Sequence, residues 1–311
     1  MKIKKITIPA LLLALSTFSG CASASKTTFN NYWNTDALVM EALNETLTYD
    51  VTFEGNADYY GYQLRYENGS YTTELVTSVS ESGQNLYTYK TELNIDVIYT
   101  LGEESVTLHD LVTSEVVFMP AENGLRPLSS KKSILSHSPA GAKPAVLSNC
   151  YRKHERSVET IYTQTNGTCT MKNGATITTN VFAINQKGYS HLDNEQLHLA
   201  LRALPSSVSS ATFSIYSPFT NTVQNVIVGF GGSENKDFTY QKNGVEVTET
   251  VVCRPVQYRL DSNNSGATQS AYIAVATEPS KNANRNRMLY LETPLAYSLG
   301  KLVYKLSSIS D

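Results

Sequence analysis

The sequence predicts a mainly β protein, built as a curved antiparallel sheet or as an open barrel or sandwich, with one or two short helices. Apolar and polar residues alternate strictly in several segments, such as Leu47–Phe53, and this alternation is typical of antiparallel strands with one face in water. Five Asn-Gly dipeptides occur, and both residues tolerate the positive φ that a tight hairpin demands. Tyrosine accounts for 20 residues, against nine phenylalanines and one tryptophan, which suits half-buried sheet surfaces where the hydroxyl stays hydrated.

Composition limits the class of protein. The 311 residues are 41% hydrophobic and 17% charged, with a formal net charge of −3. This chain is long enough to bury a large core and too apolar to be disordered. A pI near 6.0 argues against nucleic acid as a partner, because nucleic-acid binders usually carry a basic domain or stripe. After a leader and a tether, we expect one β-rich globular domain over residues 37–311.

The N-terminus predicts export. Three lysines fall within the first five residues, and the following apolar stretch, Ile6–Gly20, has 15 residues. A bilayer-spanning helix needs about 20 apolar residues, so this stretch fits the apolar region of a secretory signal peptide over residues 1–20. No later segment is apolar enough to predict a membrane span.

The signal peptide ends in a sequence that resembles the lipobox of bacterial lipoproteins. The residues are Phe18-Ser19-Gly20-Cys21, with Phe18 in a position that commonly holds leucine. The resemblance implies lipidation of Cys21, a polar tether over 21–36, and an outer-membrane anchor with the body in the periplasm. The alternative is an ordinary signal-peptidase site in Ala22-Ser23-Ala24, which would discard Cys21.

The remaining cysteines agree with an oxidising compartment. A disulfide between Cys150 and Cys169 would contribute about 3 kcal/mol on the chain-entropy estimate. Cys253 would then remain as an odd thiol buried in a strand. A zinc site is the alternative, but the chain has no C-x-x-C pair and no H-x-x-x-H spacing.

The first half of the body predicts one helix and several strands. Thr35 and Asp36 can cap a short helix over about 37–44. Hairpins are expected at Asn68, Asn166 and Asn243, whereas Asn123 lies in a predicted loop. Four of the ten prolines fall within 119–148, which predicts a long connection, either an ordered loop or a boundary between two β halves. The alternating segments in this half are Leu47–Phe53, Tyr60–Tyr66, Tyr71–Val79 and Tyr87–Tyr99.

The second half contains the strongest helix signal. Asp193 and Gln196 fit a capping box, and Leu197, Leu201 and Leu204 form an apolar stripe, which predicts a helix over about 194–204 that Pro205 terminates. Pro255 predicts that its strand is an edge or carries a bulge. The later predicted strands are Phe213–Ile215, Val226–Val228, Phe238–Tyr240, Val245–Leu260, Tyr272–Ala276, Met288–Leu291 and Lys301–Leu306.

The order of these features resembles a family of exported bacterial proteins, domain of unknown function 3108. Leu47–Val51 is similar to the start of its β body, and Asp193 followed by Leu197–Arg202 is similar to its Asp-led helix that ends in arginine. Asn243–Val247 and Met288–Leu306 are similar to its later hairpin and closing strand. The resemblance covers about 43–99 and 185–306, with 119–150 as an insertion, and it implies a curved antiparallel sheet, export and no established activity. It supplies no catalytic residues.

Motifs for chemistry are absent from the sequence. His191, Asp193 and His198 are close along the chain but lack the spacing of a metal site, so we interpret His191 as a loop residue and His198 as a helix-surface residue. His154 reads as a solvated strand end or loop, and Lys131-Lys132 and Lys281–Arg287 as solvated loops. We predict no catalytic residue, no metal and no cofactor.

Two classes of function follow. The first is a non-catalytic, outer-membrane-anchored lipoprotein whose sheet binds a lipid or another hydrophobic envelope ligand. A structural or assembly lipoprotein that binds envelope proteins is close to it. The second class is a periplasmic hydrolase that uses scattered acidic residues. The sequence leaves the oligomeric state open.

Overall fold

The computed structural model describes residues 44–56, 58–121, 124–141, 144–184, 189–261, 268–275, 286–296 and 299–310. The predicted signal peptide, Cys21, the predicted tether and residues 37–43 of the first predicted helix lie outside these ranges. Asn44, the last residue of that predicted helix, is instead the first residue of a strand.

Strands dominate the described residues, as the alternation predicts. They form one 17-stranded sheet. The strands are β1 Asn44–Gly55, β2 Asp58–Tyr59, β3 Tyr62–Val79, β4 Asn85–Leu101, β5 Glu104–Ala121, β6 Gly124–Pro139, β7 Tyr151–Tyr162, β8 Asn166–Asn173, β9 Thr176–Ala183, β10 Ser190–Leu192, β11 Ser210–Ser217, β12 Thr222–Phe230, β13 Glu234–Lys242, β14 Val245–Leu260, β15 Gln269–Ala274, β16 Met288–Pro294 and β17 Gly300–Ser310.

Helical structure in the described ranges is brief. Two 3-10 turns, Leu147–Asn149 and Asn194–Gln196, and one α-helix, α1 Leu197–Arg202, are present. The predicted capping box forms, because the Asp193 carboxylate accepts from the Glu195 N–H while the Gln196 side chain accepts from the Asp193 N–H. The second predicted helix is therefore confirmed, although it ends at Arg202 and not at residue 204. None of these helices is long and apolar enough to cross a bilayer.

The sheet is mostly a series of antiparallel strands, and five of its strands close into a ring. From β3 to β9 each strand pairs with the next one along the chain. β1 joins this series to the C-terminal strands by pairing with both β3 and β17. From β14 to β17 the strands again pair in sequence, and a short parallel pairing between β13 and β17 closes a ring of five strands.

Pro255 lies where β14 changes its neighbour. On one side of β14, Cys253 pairs with Glu234 of β13, whereas Val256 pairs with Phe230 of β12. Proline has no N–H and cannot donate a hydrogen bond to a neighbouring strand. Pro255 lies between the part of β14 that pairs with β13 and the part that pairs with β12, where no such hydrogen bond is needed. Of the two predicted alternatives, an edge or a bulge, the edge is wrong, because β14 has neighbours on both sides.

Most of the segment 119–148 is strand and not a connection. β5 runs to Ala121 and β6 occupies Gly124–Pro139. Pro127 pairs with Phe118 at a shift in register, and Pro139 is the last residue of β6; bulges and strand ends tolerate proline. The loop between β6 and β7 is consequently much shorter than predicted.

The Asn-Gly dipeptides have different roles. Asn243 and Gly244, with φ of 49° and 81°, make the predicted turn between β13 and β14. Asn68, with φ of 52°, instead lies at a bulge inside β3, so the predicted hairpin there is wrong. The β7–β8 hairpin exists, but Asn166 begins β8 after the turn. Asparagine adopts positive φ in turns and in bulges alike, which is why the dipeptide did not distinguish them.

The main core lies on the inner face of the sheet, and α1 fills part of it. Leu199 and Ala200 are fully buried there, in the same hydrophobic cluster as strand residues such as Leu64 and Val97. A second, smaller core joins β7, β8 and β9 to β11, where Phe182 stacks on Tyr216 with ring centroids 3.8 Å apart.

Candidate ligand-binding cavity

A cavity of about 350 Å³ lies between the inner face of the sheet and α1. Its floor follows one register row across five strands, from Tyr71 in β3 through Leu93, Val112 and Ile134 to Arg156 in β7. Five strands span four spacings, or about 19 Å at roughly 4.8 Å each. The floor is thus an apolar path that begins at an aromatic ring and ends at a guanidinium.

The opposite wall is formed by the helix and the C-terminal strands. Leu197 of α1 faces the cavity, and so do Leu291, Leu302 and Tyr304 of β16 and β17. All four side chains are buried. Because its floor and roof are both apolar, the cavity favours ligands with little polar surface, which lose few hydrogen bonds to water when they enter it.

An ion pair and a histidine–aspartate hydrogen bond line the cavity. The Lys132 ammonium lies 2.6 Å from the Glu195 carboxylate, and the His137 ring lies 2.7 Å from Asp110. Burial opposes ionisation of Glu195, but the charge and hydrogen bond of Lys132 outweigh it and lower the pKa of that carboxyl. For Asp110 burial prevails and raises the pKa, although His137 acts in the other direction. The solvated loop predicted for Lys131-Lys132 is wrong, since both residues belong to β6.

A chain of hydrogen bonds occupies the β7 end of the cavity. Arg156 Nη2 lies 3.2 Å from His154 Nδ1, and His154 Nε2 lies 2.7 Å from Ser138 Oγ. A guanidinium can only donate, so His154 Nδ1 accepts and the neutral ring carries its hydrogen on Nε2. Burial, followed by the charge of Arg156, lowers the pKa of His154 and keeps the ring neutral. His154 lies within β7 and lines the cavity, so its prediction as a solvated residue is wrong.

The hydrogen bond between His154 and Ser138 runs in the opposite direction to that of a catalytic serine–histidine pair. A serine nucleophile donates its hydrogen to a histidine base, which a carboxylate orients from the other side. Here the histidine donates to Ser138, and a cation stands in the orienting position. The arrangement presents donors and does not activate the hydroxyl.

His198 also borders the cavity. Its Nε2 lies 2.7 Å from the Tyr258 hydroxyl, which donates to Gln269 at 2.8 Å. The tyrosine oxygen therefore accepts from the histidine, and burial lowers the pKa of His198 to about 4. The predicted helix-surface position is wrong, because α1 packs inside the sheet and the surface it presents is internal.

His191 and Asp193 belong to the second core. His191 is buried in β10 and its Nδ1 lies 3.0 Å from Ser214 Oγ, so the predicted loop position is wrong. Burial lowers its pKa to about 4. Asp193 accepts a 2.6 Å hydrogen bond from Tyr162. Within the described part of the chain, no three His, Cys, Asp or Glu side chains form a group that could hold a metal ion.

A buried ion cluster lies behind α1. Glu45 of β1 is 1% exposed and lies 2.7 Å from Arg202 of the helix and 2.7 Å from Arg287. Burial opposes its ionisation, but the two guanidinium groups outweigh that cost and lower the pKa of Glu45 to about 2. Arg287 is 1% exposed, so its assignment to a solvated loop is wrong.

Cys150 and Cys169 are free, buried thiols, so the predicted disulfide is wrong. Cys169 pairs with Thr160 in the β7–β8 ladder, whereas Cys150 immediately precedes β7. Ten positions of extended chain separate Cys150 from Thr160, or about 33 Å, and a disulfide needs Cα atoms within about 7 Å. Burial raises the pKa of both thiols. Cys253 is buried in β14, as predicted.

Sequence reasoning did not identify the cavity residues, although the residue pattern of β7 contains one signal for them. In β7 the residues that face inward include His154, Arg156 and Val158. Histidine and arginine on the same face as a buried valine break the ordinary alternation, in which charged residues point outward. Such a break marks an inward-facing polar site, but it could be recognised only once the strand and its register were fixed.

The fold and the cavity define a mainly β protein with an internal ligand-sized space. No family model and no curated protein matches the chain, so the resemblance to domain of unknown function 3108 stays a prediction. Among solved structures, the chain is similar to a beta-barrel-like protein of Domain of Unknown Function DUF1849 from Brucella abortus. The two share 10% identity over 86% of this chain and 96% of the other, with a TM-score of 0.48.

Proposed function

We propose that the chain is a non-catalytic envelope protein that binds a lipid or another hydrophobic ligand in its cavity. The observation that carries the proposal is the partly open space of about 350 Å³ with a mostly apolar floor and roof. Ligand sites in proteins are mostly apolar, usually preformed, and about 300–1,000 Å³ in volume. The reversed polarity of the Ser138–His154 pair supports a binding role over a hydrolytic one.

Ligand binding is tested on the mature chain from Ala22, exported to the periplasm and purified without detergent. We expect native mass spectrometry to show a stoichiometric adduct, and organic extraction to release an acyl-chain compound. Replacing Ile134 by tryptophan fills part of the cavity floor and should weaken ligand binding about tenfold or more, because the larger side chain occupies volume that the ligand needs; a tenfold change in Kd corresponds to about 1.4 kcal/mol.

The matched control is Ile161→Trp. Ile161 lies on the neighbouring strand β7 but is 60% exposed and does not line the cavity. This variant should keep the adduct of the unchanged protein. A clean apo mass for the unchanged protein, together with no uptake of added lipid, would refute the proposal.

We further propose that acyl chains on Cys21 anchor the body to the outer membrane, with the body in the periplasm. Each buried methylene contributes about 0.8 kcal/mol, so several chains on one residue hold a protein firmly. The Cys21→Ala variant should lose the acyl mass and move from the membrane fraction to the soluble one. An unchanged mass and unchanged fractionation would exclude the anchor.

A second candidate function is binding of envelope proteins. In the described ranges β9 pairs only with β8, and it exposes Ile177 and Val181 by 65% and 69%. An unpaired edge strand with apolar side chains can accept a strand from another protein. In the same mass spectra, an apo body with a stoichiometric second polypeptide would favour this function.

A further inference from the structure

The cavity lining holds one positive charge without a counter-charge. Lys132 is paired with Glu195, and His137 with Asp110. Across the part of the chain that the structure describes, no carboxylate lies within ion-pair distance of Arg156, and its buried Nε has no hydrogen-bond partner. A buried donor without an acceptor is costly, so this guanidinium is suited to an anion that the chain does not itself provide.

The neighbouring hydrogen bonds all point the same way. Arg156 donates to His154, and His154 donates to Ser138. The serine hydroxyl therefore keeps its own hydrogen to donate further, and Ser138 lines the cavity. Among the residues that the structure describes, that hydroxyl has no acceptor, so Arg156 and Ser138 are two donors on either side of the His154 ring.

The placement of this end fits a head group. Arg156 is half-buried, whereas the far wall of the cavity contains buried leucines and Tyr304. Phe219 also borders the cavity, and the centroid of its ring lies 5.4 Å from the guanidinium carbon of Arg156. This contact holds the cation beside an apolar surface. The apolar floor then leads about 19 Å from Arg156 to Tyr71.

We infer that the ligand is a single-chain amphiphile with an acidic head group, whose oxyanion binds Arg156 and Ser138 while its hydrocarbon chain lies along the apolar floor. This inference rests on the proposed function and specifies its ligand class. A carboxylate and a phosphate share the chemistry that a guanidinium recognises, so fatty acids and alkyl phosphates both qualify. A neutral or cationic head group would leave the guanidinium unpaired.

The test compares ligands that share a C16 chain and differ only in the head group. Hexadecanoate, monohexadecyl phosphate, hexadecanol and hexadecylammonium compete with the neutral dye N-phenyl-1-naphthylamine for the mature chain from Ala22, delipidated beforehand. We expect one or both anions to bind about tenfold or more tightly than the alcohol, the difference that one charged hydrogen-bond pair supplies. Their relative affinity distinguishes carboxylate from phosphate.

Two variants assign the effect to the proposed residue. Arg156→Gln should reduce anion binding to the level of the alcohol while dye and alcohol binding stay unchanged, which also shows that the variant is folded. Lys131→Gln removes one positive charge from an exposed position on the neighbouring strand β6 that does not line the cavity and should preserve the preference for anions. Equal binding of all four ligands, or tighter binding of the ammonium, overturns the inference and leaves the cavity proposal intact. No binding of any ligand or dye overturns both.

Discussion

Replacing Glu45 by glutamine is expected to lower the free energy of unfolding by about 3–5 kcal/mol. The carboxylate lies 2.7 Å from Arg202 and from Arg287, and all three side chains are at least 95% buried. Removing one partner of a buried ion pair leaves the remaining charge without compensation, and it is this uncompensated charge that costs so much. Here two buried arginines would lose the carboxylate that both of them contact. Urea unfolding monitored by tyrosine fluorescence and far-UV circular dichroism measures the change.

Glu74→Gln provides the matched control. Glu74 lies on β3, adjacent to the residue that pairs with Glu45, and forms a 3.3 Å ion pair with Lys90 in which both side chains are more than 40% exposed. Exposed pairs contribute about 0–1 kcal/mol, so this variant should remain close to the unchanged protein. Equal stabilities of the two variants would show that the buried cluster contributes nothing.

The Glu45 cluster should also make the stability of the folded protein decrease at acidic pH. Glu45 has a folded-state pKa of about 2, below its ordinary 4.5. A carboxyl whose pKa is lowered on folding contributes stability above its unfolded pKa and loses it as the pH falls. The contribution should therefore decline from about pH 5 towards pH 2, and the Glu45→Gln chain should show a shallower decline there.

Replacing Asp193 by alanine is expected to cost about 2–4 kcal/mol. The carboxylate caps the turn that starts α1 and accepts the Tyr162 hydroxyl at 2.6 Å. Loss of a cap costs about 1 kcal/mol, and a buried hydroxyl deprived of its acceptor costs roughly 1–3 kcal/mol more. The same denaturant experiment measures the sum.

A double-mutant cycle separates the two contributions. In a Tyr162→Phe background the Tyr162 hydroxyl is absent and cannot lose its acceptor, so Asp193→Ala should cost about 1–3 kcal/mol less than in the unchanged protein. An undiminished cost in that background would mean that the tyrosine hydrogen bond is irrelevant. Asp193→Asn, which keeps a side-chain acceptor, should be the mildest of the changes.

Local patterns in the sequence predicted the strands and the capped helix well. Alternation in Leu47–Phe53 reflects a strand whose faces differ in solvent exposure, and the capping box of Asp193 is a contact between residues three apart. Both signals are local, so the sequence alone contains them. The prolines of 119–148 were misread because a bulge or a strand end accommodates proline as readily as a loop does.

The site depended on contacts that no local pattern reveals. Arg156 meets Ile134 and Leu93 only through the registers of four strands, and Glu45 meets Arg287 across 242 positions of chain. His198 looked like a surface residue because helices usually present polar residues to water, but α1 lies inside the sheet. Cysteine spacing suggested a disulfide because short loops close easily, whereas the extended β7 holds the two thiols apart.

The position of β1 has a consequence for the order of folding. β3 to β9 pair as consecutive neighbours, so this half can form from successive hairpins. β1 precedes all the other described strands along the chain, yet one of its two edges pairs with β17, as in Thr46 with Ser310. That edge stays without its partner until β17 is available, and an unpaired strand edge is open to pairing with other chains during that interval. Closure of the sheet at β1, and of the five-stranded ring, therefore waits for the last described strand.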